Sequence, residues 1–180
     1  LQYRYHVIGR LPSSNPVQMW FGQFIHGVLE ESYRRYNESV KRGRPHLPPW
    51  GDTELKEIFN QVEKRLAIQG LVAWDEEVNK IGMERAKLAV NEMGPDLFPL
   101  IHLAEVRITG TRILPQIDPH YQFREADRYE ILGVVDVITH IQLQDKRFKN
   151  NRIVKNILKY LPKKIPDDFE VIVDYKGMRR

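Results

Sequence analysis

Two carboxylates stand where apolar residues are expected. Asp136 interrupts ILGVVDVITHI, and Asp174 ends the run FEVIVD just before Tyr175 and Lys176. Taking an ionised carboxylate out of water without a partner is costly enough that a compensating cation is expected between the two segments. In an extended strand, residues two apart share a face, so Asp174 and Lys176 point the same way. If Asp136 lies on the neighbouring strand, two carboxylates and one ammonium converge. Two carboxylates sharing a site repel unless a cation separates them. Mg2+ and Mn2+ suit the position, because both take oxygen ligands and keep water. Lys176 would then orient or deprotonate a water and offset charge developing on a phosphate. The competing reading is a plain Asp174–Lys176 ion pair at a sheet edge.

Several elements must position these groups. PSSNP at 12–16 reads as a turn-rich lead-in to a helix over 17–43, with Phe21, Ile25, Val28, Leu29 and Tyr33 on its apolar face. A Pro-rich loop follows. Asp52 or Thr53 is expected to cap a second helix over 53–69, with Leu55, Ile58, Phe59, Val62 and Leu66 on one stripe. A third helix over 75–93 is expected to stop at Gly94-Pro95. The period then changes. Residues 101–114, 129–143 and 169–176 are β-branched and read as strands, with a basic insertion containing a short amphipathic helix over 145–166. The fold class expected is α/β in the α+β sense, or a three-layer α/β domain, after an N-terminal helical region. One domain is expected over 1–180, helical over 1–95 and sheet-bearing over 96–180.

Composition narrows the chemistry. The 180 residues are 42% apolar, enough for a globular core, and 28 Lys and Arg against 24 acids give a net charge of +4. That balance permits a polyanionic partner. There is no cysteine, which excludes disulfides, thiolate zinc sites and iron–sulfur clusters within these residues. No apolar run reaches the roughly 20 residues of a membrane span. The opening LQYRYHVIGR is unlike a secretory signal and has no initiating Met, so the chain is expected to be a piece of a longer, cytoplasmic protein, nucleoid-associated if prokaryotic. Phosphate-binding loops, dinucleotide fingerprints, H-E-x-x-H and G-x-S-x-G are absent, and His46, His102, His120 and His140 show no metal spacing.

The Gly133–Asp136 stretch GVVD, followed by VDYK at 173–176, resembles the G-x-x-D…(D/E)-x-K core of the PD-(D/E)XK nuclease superfamily. The aromatic, basic opening leads into Gly22, His26, Leu29 and Glu30, which is similar to the G-x-x-x-H-x-x-L-E helix of the RecB-like branch. The resemblance implies a restriction-endonuclease-like core, a mixed sheet flanked by helices, and a metal-dependent deoxyribonuclease; with no base-reading motif in the sequence, little sequence specificity is expected. It assigns Asp136, Asp174 and Lys176 to catalysis. It assigns His26, Asp136, Asp174 and the Tyr175 carbonyl to a Mg2+ or Mn2+ ion, with Glu105 in a supporting or second-metal place. A His packed at a helix interface and an exposed strand Glu are the bland counterparts. Relatives that carry an iron–sulfur cluster need cysteines this segment lacks. A Q-x-x-x-Y helix usual after the last strand is absent from the segment.

DNA is the implied partner, with a helicase domain or subunit as a possible neighbour and no membrane. Within the insertion, Lys146, Arg147, Lys149, Arg152 and Lys155 are expected to hold phosphates beside the metal, with Arg179 and Arg180 beyond the last strand, and Phe148 and Tyr160 interleaved for base stacking. A solvated helix face is the alternative for this run. Two other readings stay open: a nuclease module of a helicase–nuclease machine acting in repair or defence, and a catalytically inactive DNA-binding scaffold with the same fold.

Overall fold

A computed structural model describes residues 17–113, 128–161 and 166–174. The PSSNP lead-in, His120, Tyr175, Lys176, Arg179 and Arg180 lie outside the described residues. The described chain falls into two compact units that divide between Phe98 and Pro99.

The first unit is helical. Helix α1 (Val17–Lys41) buries Trp20, Phe24, Val28, Leu29 and Ser32. Phe21 and Ile25, expected on the buried face, are only half-buried. The stretch is apolar on adjacent faces, and Trp20 and Phe24 take the interior, stacked on each other at 5.0 Å, with Phe24 also 5.7 Å from Phe59. The helix ends before Gly43, whose φ of 72° is the left-handed conformation that glycine takes without strain.

Helix α2 (Asp52–Ile68) buries Leu55, Ile58, Phe59, Val62 and Leu66, the stripe its spacing predicts. Its cap is Gly51 rather than Asp52 or Thr53. The Glu54 carboxylate accepts the Gly51 N–H at 3.3 Å, and this reach back over the first turn replaces a side-chain cap. Asp52 instead pairs with Lys87 at 2.5 Å.

Helix α3 (Glu76–Leu97) starts at Asp75, whose carboxylate accepts the Val78 N–H at 2.7 Å. It runs through Gly94-Pro95 instead of stopping there. Gly94 serves packing, not termination: a Cβ at this position would lie 2.8 Å from Pro48 Cγ and 3.1 Å from the Phe98 ring. Pro95 lies inside the helix, in its last turn. The Asn91 side chain clamps the loop before α2, accepting from Trp50 N–H at 2.9 Å and donating to the Trp50 carbonyl at 3.2 Å.

The second unit is a sheet with one helix. Strands β1 (Ile101–Ile113), β2 (Arg128–Gln142) and β3 (Asp168–Val173) pair in the order β1-β2-β3, antiparallel throughout. The mixed sheet expected from sequence is therefore not what the described strands form: both neighbouring pairs are antiparallel. Between β2 and β3 lie a short 3-10 turn at Lys146–Phe148 and helix α4 (Arg152–Tyr160). Asn151 caps α4, accepting from Ile153 N–H at 2.9 Å and Val154 N–H at 3.1 Å. Leu100, Ile141, Phe148 and Val154 form the core, with Leu143, Ile153, Ile157, Phe169 and Val171 packed against it. Thr139 is fully buried, and its hydroxyl donates to the Val171 carbonyl at 3.0 Å, tying β3 to β2.

Candidate functional site

Strand pairing decides which acids meet. The β2–β3 ladder runs from Gln142↔Asp168 to Val137↔Val173 without a shift. One residue further in the same register, Asp174 stands opposite Asp136. The β1–β2 ladder includes Ala104↔Val137 and Val106↔Val135, so the intervening step sets Glu105 opposite Asp136. Glu105, Asp136 and Asp174 thus occupy one row across three neighbouring strands. Directly opposed residues on antiparallel strands have Cα atoms about 4.5–5.5 Å apart. Glu105 also has a φ of 52°, left-handed backbone for a side-chain-bearing residue, and the ladder is interrupted at its step.

The row lies on a definite sheet face. Along β2, Val137, Thr139 and Ile141 are buried, while Asp136, Ile138 and His140 alternate onto the other side and are half-buried. Asp174 is exposed. The same face carries Ile172 and Val134, 62% and 59% exposed. It also carries a group that sequence spacing did not reveal: His140 Nε2 lies 3.0 Å from Asp168 Oδ1, and the His102 ring is 5.7 Å from that of His140. The three residues are far apart along the chain, so strand pairing was the signal needed to group them.

The expected ligands divide between the two units. Asp136 and Asp174 are brought into line within the sheet unit. His26 is half-buried on α1 in the helical unit, three residues before buried Leu29, while Glu30 pairs with Arg65 at 2.9 Å. The donor set suits a hard ion: facing carboxylates supply oxygen, and the exposure of Asp174 leaves room for retained water. Asp136 and Asp174 are the described residues that would hold it. Among the described residues, no group of three or more His, Cys, Asp or Glu side chains is arranged to hold a metal ion.

The basic insertion falls elsewhere than expected. Ile153, Val154 and Ile157 of α4 pack with Ile141, Phe169 and Val171, which point to the sheet face opposite Asp136. Lys146, Arg147, Lys149, Arg152 and Lys155 are exposed, yet the structure does not bring α4 to the face of the acid row. Adjacency in sequence to Asp136 and Asp174 did not carry over into a shared face. Arg147 is engaged locally, bridging Asp145 at 2.5 Å and lying 5.3 Å over the Phe148 ring. Its hydrogen bond holds the Asp145 carboxyl below its ordinary pKa.

Among the described residues, no helix is long and apolar enough to cross a membrane. No known protein family, curated protein or solved structure matches the chain.

Proposed function

We propose that this chain is a metal-dependent phosphodiesterase acting on DNA, built on a restriction-endonuclease-like core and working in the cytoplasm, alone or beside a helicase. The observation that carries this reading is the row of Glu105, Asp136 and Asp174 across three paired strands. Continuing the β2–β3 register brings Asp174 to Asp136, Glu105 approaches from β1, and carboxylate oxygens are the donors a hard cation takes. The GVVD motif lies on β2, Asp174 directly follows the last residue of β3, and Lys176 follows Asp174 by two residues in sequence.

In this reading Asp136 and Asp174 hold a Mg2+ or Mn2+ ion with help from the Tyr175 carbonyl, and Glu105 supports the site. Bound there, the ion supplies positive charge against the scissile phosphate. Lys176 orients the attacking water. Contacts to phosphate carry affinity without sequence information, so cleavage should show little sequence preference.

The test is a time course on end-labelled single- and double-stranded DNA with Mg2+ or Mn2+. Wild type should cleave, and Asp136→Asn, Asp174→Asn and Lys176→Ala should each lose at least about 100-fold in rate while melting as wild type does. Cleavage at wild-type rates by a purified Asp136→Asn variant would overturn the assignment.

A further inference from the structure

We infer that helix α4 is a separate binding surface for single-stranded nucleic acid, on the sheet face away from the carboxylate row. The inference rests on the nuclease reading for its biological sense, and on α4 itself for its chemistry.

Residues 145–161 hold Lys146, Arg147, Lys149, Arg152, Lys155 and Lys159 against one acid, Asp145. The inner side of α4 is committed to the core. Its outer side presents Arg152, Lys155, Asn156, Lys159 and Tyr160, all exposed. Offsets of three, four, seven and eight residues from Arg152 put these on one helical stripe. At 1.5 Å rise per residue, the stripe is roughly 12 Å long, the length of three to four nucleotide steps.

Charge compensation distinguishes this helix from the helical unit. There, cations sit on carboxylates: Arg34 on Glu31 at 2.7 Å, Arg35 on Glu57 at 3.1 Å and Arg65 on Glu30 at 2.9 Å. On α4, Lys155 reaches Asn150 at 3.4 Å and Lys159 reaches Asn156 at 3.2 Å. These partners are neutral and leave the ammonium charge uncancelled. The ammonium charges of Lys155 and Lys159 attract a polyanion by releasing its counterions. Tyr160, 88% exposed at the end of the stripe, adds a ring on which an unpaired base can stack. Cations interleaved with an aromatic suit a single strand better than a duplex, whose bases are already stacked.

Position gives the surface its role. A helix is about 10–12 Å across, so the stripe stands about that far above the sheet, on the side away from Asp136. It therefore holds a stretch of strand other than the one presented to the acids.

The experiment is fluorescence anisotropy of a labelled 20-nucleotide oligothymidine in EDTA, over a series of KCl concentrations. For Arg152→Gln/Lys155→Gln/Lys159→Gln, the slope of log K against log salt should be shallower than wild type by about 2, or about 0.7 for each phosphate no longer neutralised. Tyr160→Ala should weaken binding roughly tenfold or more with little change of slope. Lys155→Glu/Lys159→Glu, which leaves Arg152 in place, checks the same stripe if the triple variant does not fold. Asp136→Asn should keep the wild-type slope. Parallel slopes and unchanged affinity in both α4 charge variants overturn the inference, as does equal binding of a duplex with no effect of Tyr160→Ala. Tighter binding to anionic phosphatidylserine vesicles, lost in the charge variants while DNA binding persists, overturns it in favour of a lipid surface. A wild type that binds through α4 yet never cleaves DNA with Mg2+ or Mn2+ refutes the nuclease reading and leaves this one standing.

Discussion

The register of β3 on β2 is open to a covalent test, because the chain contains no cysteine of its own. The Val137↔Val173 pair puts Asp174 opposite Asp136 one residue further on. An opposed antiparallel pair has a Cα separation of about 4.5–5.5 Å, inside the disulfide range of about 4.4–6.8 Å. Asp136→Cys/Asp174→Cys should therefore close a disulfide on mild oxidation. The control is Asp136→Cys/Ile172→Cys. Ile172 faces Ile138, so this pair is diagonal, about 7–8 Å apart and beyond easy reach. A slip of one residue would turn the thiol introduced in place of Asp174 to the other face altogether. The bridge closes a loop of roughly 40 residues, which in the chain-entropy account stabilises by ~4 kcal/mol if unstrained. For a protein of this size that corresponds to a rise of roughly 8–16 °C in Tm, abolished by reductant. Peptide mapping without reductant identifies the linkage, and thermal melts with and without dithiothreitol give the shift. Failure of the opposed pair to crosslink, or equal crosslinking of the diagonal pair, would refute the register and with it the acid row.

Other expectations follow from single contacts. Gly82→Ala places a Cβ 2.9 Å from Trp20 Cη2 and 3.0 Å from Cζ3, and the ring is held by its stack on Phe24. Overpacking of about 1–3 kcal/mol should outweigh the gain of about 1 kcal/mol in helix propensity, lowering stability in urea by up to ~2 kcal/mol; a more stable variant would show the interface to be loose. Glu105→Asn should raise stability by about 0.5–1 kcal/mol, because Asn tolerates left-handed backbone better than Glu; a loss in the same urea titration would mean that the Glu105 side chain holds the turn. The Asp145 carboxyl is held below its ordinary pKa by Arg147, so its contribution is present above the ordinary carboxylate range and fades as pH falls through the lowered value. Arg147→Gln should move the NMR titration of Asp145 back up, and an unchanged titration would discount the contact.

Much of the fold was legible where one pattern dominated. The α2 stripe matched residue for residue, and β1 and β2 fell within one residue of their expected bounds. Reading failed where a residue had two uses. Gly94 looks like a stop signal but provides close packing against Pro48 and Phe98. Trp20 and Phe24 compete with Phe21 and Ile25 for the same interior, and hydropathy alone does not rank them. For the site, alternation along β2 was legible as a local rule, but which acids stand opposite one another depends on the register of strand pairing. The placement of α4 was not legible: both faces of β2 carry apolar residues, so its sequence does not say which one a helix covers. The grouping of His102, His140 and Asp168 depended on long-range pairing in the same way.

Strand β2 outruns β3: among the described residues its partner covers 137–142, whereas β1 follows it down to Arg128. From Val106 to Ile113 and from Arg128 to Val135, the described residues form a two-stranded ribbon with largely exposed side chains. Such ribbons are marginal by themselves, so amide protons there should exchange sooner than those of Ile138 and Thr139. The three acids sit at the seam between the anchored and the breathing halves. Anything that gripped all three acids at that seam would quiet the ribbon as well, and occupancy could be followed as slowed exchange at Gly133 and Val134, with no substrate present.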